Sequence, residues 1–356
     1  MKTNSCALVH VVIRLAASAI FLVLLASAAE SADSWVQTAE LPALGARAPV
    51  RINFLSNDVG WLLDSERNVW RTRDAGLSWT CLDAPDPAAI DMGFVNASRG
   101  WLRSFGKVLW TSDAGDHWSE LSLPPELAGQ TVGAVWAESE SHIWIAVSTW
   151  QLNQGAARDA PYPSVARGQE VLQAAVFFSP DTGKTWIRQR LPSRAPYTLA
   201  SLQFFSSNVG FGLGDAGILY TSDGGRTWHS GVFPESCVSA NFLEQDSQFD
   251  PGVLAAVTEK EAWVGYKHGG LLHTTDGGQH WCELGAAANS KRPWGFSALK
   301  FTSSLAGWAV TTDHKLQRSI DGGLHWMPVD VGGIVLYLQP GRARSWLLTD
   351  KAILGN

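Results

Sequence analysis

Residues 274–281 read Thr274-Thr275-Asp276-Gly277-Gly278-Gln279-His280-Trp281. The octet has the chemistry of a tight turn that closes on itself. A short carboxylate accepts from nearby backbone N–H groups, and a Ser or Thr hydroxyl adds a second partner. A glycine takes a positive φ where a Cβ would clash, and the tryptophan buries a large area as the next strand begins. The same order (Ser/Thr, any, Asp, any, Gly, any, any, Trp) recurs at 72–79, 111–118, 179–186, 221–228 and 319–326. One such octet arises by chance about once in 10⁴ to 10⁵ positions at average residue usage, so six copies mark an internal repeat.

Each octet follows a second landmark, an aromatic that opens an apolar stretch. These are Trp61, Trp101, Trp144, Phe211, Trp263 and Trp308, with a seventh at Trp346. The intervals are 40, 43, 67, 52, 45 and 38 residues. A period of about 40–50 residues, with strand-like runs between Gly/Asp turns, is that of propeller blades of four strands. In each unit, strand A is a run such as Arg51–Phe54, strand B carries the aromatic, strand C is a run such as Val108–Trp110, and strand D starts at the octet Trp. The last unit, Ile334–Asn356, supplies only strands A, B and C. The segment Ser34–Leu41 resembles the stretch that an octet Trp opens in other units, such as Trp186–Leu191, so it is expected to supply the missing strand D. The expectation is an all-β, seven-bladed propeller of four-stranded antiparallel blades, closed by its N-terminal strand, which hides the sheet edges.

Composition agrees. Of 356 residues, 46% are hydrophobic and 17% charged, which excludes a disordered or coiled-coil chain. The 18 Trp against 5 Tyr suit one structural role repeated many times. The net charge of −6 provides no basic field for nucleic acid. At the N-terminus, Lys2 and Arg14 precede an apolar run, Leu15–Ala29, with Ala26-Ser27-Ala28 as a small-residue cleavage site. Residues 1–28 read as a secretory signal peptide, with an uncleaved N-terminal anchor as the alternative; cleavage leaves residues 29–356 as one exported propeller with no membrane span. Cys81, Cys237 and Cys282 then remain. Either a Cys237–Cys282 disulfide or free thiols fit that count.

The octet is identified as the Asp-box of the BNR-repeat propellers, which include sialidases, two-propeller xyloglucanases, sortilin-type receptors and the photosystem II assembly factors. Seven units, repeated Gly-Trp strands and Thr-Thr-Asp-Gly-Gly turns resemble the photosystem II assembly/stability factor family from Trp35 to Asn356. The resemblance implies a non-enzymatic luminal or periplasmic scaffold that binds a partner protein during assembly, and thus a periplasmic or secreted location, or the thylakoid lumen in a photosynthetic organism. The sialidase pattern is absent. Arg51-Ile52-Asn53 lacks the proline of an Arg-Ile-Pro signature, and no Tyr sits in a recognisable catalytic setting. A carbohydrate-binding or glycoside-hydrolysing propeller is the alternative; hydrolysis would need two opposed carboxylates.

Asp74, Asp113, Asp181, Asp223, Asp276 and Asp321 are read as structural turn residues, because sixfold repetition belongs to folds more than to sites. No catalytic residue, metal ligand set or cofactor motif is found. His117, His280 and His325 each precede an octet Trp, so turn spacing accounts for them. The candidate binding surface is located by insertions, since loops on a rigid scaffold carry function. Trp144 to Asp181 spans 37 positions, against 12 or 13 for Trp61–Asp74, Phe211–Asp223 and Trp308–Asp321. The added residues place an insertion, 148–175, between strands B and C of blade 3. A smaller insertion lies between blades 4 and 5. B–C loops and D–A connections emerge on one face of an up-and-down blade, and octets on the other. The candidate partner-binding residues on that face are Trp150, Arg158 and Tyr162, then Arg194 and Tyr197, then Lys291, Arg292 and Trp294. Aromatics beside cations suit a protein partner and could also stack on a glycan.

Overall fold

The computed structural model describes residues 35–42, 48–82, 85–152, 169–193, 195–196, 198–214, 217–238, 252–285, 294–339 and 345–356. Its strands form seven four-stranded antiparallel sheets. Blade 1 consists of Pro49–Phe54, Gly60–Asp64, Val69–Thr72 and Thr80–Leu82, running A to D in sequence order. Blade 2 spans residues 91–120, blade 3 131–188, blade 4 199–230, blade 5 253–283 and blade 6 296–329. Blade 7 is made of Val335–Gln339, Trp346–Thr349, Ile353–Gly355 and, as strand D, Val36–Ala39. The N-terminal strand pairs antiparallel with Ile353–Gly355, Val36 facing Gly355 and Gln37 facing Leu354. One detail differs from the sequence reading: strand D begins one residue after the octet Trp, as at Ser119, Ile187 and Cys282. The Trp instead caps the turn.

The buried apolar residues fall into seven clusters, one at each junction between neighbouring blades. The aromatic of strand B organises these junctions. Trp61 stacks on Phe94 of blade 2 at 3.6 Å, Trp144 packs on Phe204 of blade 4 at 4.4 Å, Trp263 stacks on Phe301 of blade 6 at 3.9 Å, and Trp346 on Phe54 of blade 1 at 4.3 Å. Each pair adds roughly 0.5–1.5 kcal/mol beyond its buried area. The glycine before the aromatic is explained by the same packing: a Cβ on Gly100 would lie 2.5 Å from the ring of Phe94 in its own blade.

The octets behave as self-satisfied turns. In blade 2 the Thr111 hydroxyl donates to Asp113 at 2.8 Å and accepts from Gly115 N–H at 2.9 Å, while Asp113 accepts from His117 N–H at 2.9 Å. The fifth residue is always a glycine at positive φ, and the fourth shares that conformation even where it is Ala75, Ala114 or Thr182. The fourth N–H donates to an A–B turn carbonyl of its own blade in all six: Ala75 to Asp58, Ala114 to Ser98, Thr182 to Ser141, Gly224 to Asn208, Gly277 to Lys260 and Gly322 to Leu305. Octets and A–B turns therefore share one face.

Candidate functional site

The third blade places its excursion on the opposite face. Its strands B and C, Ile143–Leu152 and Gln169–Ser179, pair from Ile143–Ser179 beside the octet out to Leu152–Gln169 at the far end. The insertion thus begins as a hairpin continuing the blade, with residues 153–168 outside the described residues. Trp150 lies in that hairpin, opposite Val171. Arg158, Tyr162, Arg194, Tyr197, Lys291 and Arg292 lie outside the described residues. Trp294 is described and half-buried, its ring edge-on to Phe296 at 5.2 Å and to Trp326 at 6.2 Å, so it packs blade 6 as well as preceding it.

A polar cluster that the sequence reading did not select sits at the central-channel end of this face. Asp91, at the start of strand A of blade 2, lies 3.6 Å from Arg51 of blade 1 and 3.7 Å from Arg103, its cross-strand partner. Arg103 also donates to the Val132 carbonyl of blade 3 at 2.8 Å. The Arg51 guanidinium lies over the Tyr337 ring of blade 7, 4.8 Å from its centroid. Four neighbouring blades thus meet through two guanidiniums and one carboxylate. Burial lowers the Arg103 pKa against the opposing pull of Asp91, and burial beside Asp91 pushes the Tyr337 phenol up to about 12. The Arg103 Nε is buried without a hydrogen-bond partner. The cluster was visible in sequence only as a strand start and a strand end carrying opposite charges, Asp91 and Arg103, with no motif to single them out.

The other end of the channel is different in kind. A cavity of about 530 Å³ lies among the strand A ends of blades 3 to 6, with Trp136, Phe204 and Lys300 on its wall. Burial pushes the Lys300 ammonium down to about 8, and its Nζ donates to the Ser345 hydroxyl of blade 7. Cys237 and Cys282 are joined in a disulfide that ties the blade 4–5 connection to strand D of blade 5, while Cys81 is exposed and takes no part in it. Among the described residues no group of three or more His, Cys, Asp or Glu is placed to hold a metal ion, and no helix is long and apolar enough to cross a membrane.

The sequence profile of the family described as photosynthesis system II assembly factor YCF48 matches residues 28–142, about a third of the chain. The photosystem II assembly protein Ycf48 of Synechococcus sp. (strain JA-2-3B'a(2-13)) is 24% identical over 308 residues, covering 80% of this chain and 88% of that protein. The chloroplastic photosystem II stability/assembly factor HCF136 of Arabidopsis thaliana is 23% identical over 302 residues, covering 73% and 72%. A solved structure described as YCF48 bound to D1 peptide superposes with a TM-score of 0.58 at 18% identity, covering 90% of this chain and 93% of that one. At that identity the superposition speaks for the fold alone. The relatives are named as assembly and stability factors, and the chain is a seven-bladed propeller that resembles the photosystem II assembly/stability factors.

Proposed function

We propose that this protein is an exported, non-enzymatic propeller that docks a partner polypeptide on the face opposite its octets. The observation that carries the reading is the Arg51–Asp91–Arg103 cluster, which leaves one net positive charge and a buried unpartnered N–H at the channel mouth. A carboxylate of a partner chain would offset that charge at Arg51, whose side chain is the more exposed of the two guanidiniums. The blade 3 hairpin stands on the same face, and the candidate residues from Trp150 to Trp294 form the proposed rim. The relatives' names, and the D1 peptide bound by YCF48, support a protein as the partner class. Export rests on the leader-like residues 1–28.

The test is capture from the envelope fraction of the source cell with the full chain and with Arg51→Ala, whose side chain is about a third exposed. The expected result is a reproducible protein partner retained by the wild type and reduced about tenfold by the variant, as for a hot-spot arginine. Equal recovery with both chains would contradict the docking face. Hydrolysis of any substrate in a glycoside panel would contradict the non-enzymatic reading.

A further inference from the structure

The repeat allows each blade to be compared with its neighbours at equivalent points on the octet face. Blade 6 departs from the others there. The A–B turn residue whose carbonyl accepts from the octet is Asp58, Ser98, Ser141, Asn208 or Lys260 in blades 1 to 5, and Leu305 in blade 6. The second octet residue is Arg73, Ser112, Pro180, Ser222 or Thr275, and then Ile320; the sixth is Leu77, Asp116, Lys184, Arg226 or Gln279, and then Leu324. Leu305, Ile320 and Leu324 are 61%, 57% and 51% exposed. No packing within the blade requires them, since blades 2 to 5 form the same turn with polar, charged or proline residues at all three places.

The position of Trp35 bears on what covers this patch. Trp35 packs edge-on against Trp308 of blade 6 at 5.4 Å, where an octet Trp would stand in blade 7. Trp35 is therefore anchored at the blade 6–7 junction. The apolar run Leu15–Ala29 is separated from Trp35 by five residues, a tether of at most about 18 Å. The other leucine in the comparison, Leu77 of blade 1, flanks blade 7 from the far side and is 86% exposed. Apolar turn tips thus stand in the blades on either side of blade 7, whose strand D Trp35 precedes. Side chains on separate turn tips offer points for interfacial insertion and no trough for a fifteen-residue apolar segment. Branched apolar side chains at such points insert favourably into the acyl boundary.

We propose that the octet face at blade 6, through Leu305, Ile320 and Leu324, rests on a lipid bilayer while residues 1–34 remain attached. This orientation turns the channel mouth bearing Arg51 and Arg103 away from the lipid.

The test compares hydrogen exchange of the full chain with and without phosphatidylcholine vesicles. The comparison variant is L305N/I320S/L324Q, in which each new residue stands at the same place in another blade (Asn208, Ser222 and Gln279), so the turn is preserved. On vesicles, residues 303–306 and 319–325 are expected to exchange at least about fivefold more slowly, with the blade 3 octet unchanged. The variant is expected to stay vesicle-bound through its N-terminal segment and lose that protection. Vesicle binding with no blade-specific protection would overturn the proposal, as would a chain that does not bind. Protection already present without vesicles would mean that the N-terminal segment itself covers the patch, and would overturn it equally.

Discussion

The indole N–H of Trp263, on strand B of blade 5, donates to the carbonyl of Gly322, the fourth octet residue of blade 6, at 3.0 Å. The same link runs from Trp61 to Ala114 and from Trp144 to Gly224. A residue in one repeat is thus bonded to the turn of the next, and the repeat is a unit of assembly as well as of sequence.

Trp263→Phe keeps most of the ring stacking on Phe301 and removes the indole donor, as nature has done with Phe211 in blade 4. The expected loss is about 1–2 kcal/mol, the cost of an unmet buried carbonyl. Trp263→Ala adds a cavity and should cost about 3–5 kcal/mol. Denaturant unfolding of both variants checks the difference.

Ala114 holds φ 66°, a conformation strained for a residue with a Cβ. Gly224, Gly277 and Gly322 occupy that place in blades 4, 5 and 6. Ala114→Gly should raise stability by up to about 1 kcal/mol, relief of strain slightly exceeding the added chain entropy. Thermal unfolding reads it.

The octet carboxyls make stability acid-sensitive. Hydrogen bonds from the His117 backbone and ring hold Asp113 at about 2, against an ordinary 3.8. Asp74 and Asp181 are also lowered, by hydrogen bonds from Ser78 and Thr185. A depressed folded pKa contributes stability that is present above 3.8 and is lost as pH falls toward 2. Unfolding followed from pH 5 to pH 2 should show a steep decline over that window, and Asp113→Asn should flatten part of it. His117 acts with the opposite sign. Its pKa is raised by the hydrogen bond to Asp113, so its contribution is present below 6.5 and is lost as pH rises through its folded value.

The Cys237–Cys282 disulfide closes a loop of 45 residues. Chain-entropy reasoning for a loop of that length gives about 4 kcal/mol for its removal. C237A/C282A should unfold at correspondingly lower denaturant, and the wild type should match it in reducing agent.

The architecture is legible in the sequence because turn chemistry repeats: Asp, Gly and Trp at fixed spacing mark the units, and the one lacking strand D points to Ser34–Leu41. The Trp one residue ahead of strand D is harder to place, since burial of an indole does not distinguish a cap from a strand residue. The Arg51–Asp91–Arg103 cluster is illegible for another reason. Its members come from two blades and meet only when strand A of blade 1 packs beside the paired strands A and B of blade 2. Arg51 stands out in the sequence only beside an Arg-Ile-Pro signature that it does not complete, while Asp91 and Arg103 look like ordinary strand ends. The disulfide stands between, with three candidate thiols and no sequence rule to choose between pairing and free thiols.

The count of seven complete blades and the anchoring of Trp35 beside blade 6 both depend on the ring being closed by the head of the chain. The most direct measurement is disulfide trapping of Q37C/L354C in a C6S/C81S background, since Gln37 and Leu354 are cross-strand partners. The account predicts an intrachain disulfide under mild oxidation and a higher melting temperature, because the bond pins the two ends of the ring. Thiols that stay reactive, or that form only intermolecular dimers, would contradict it.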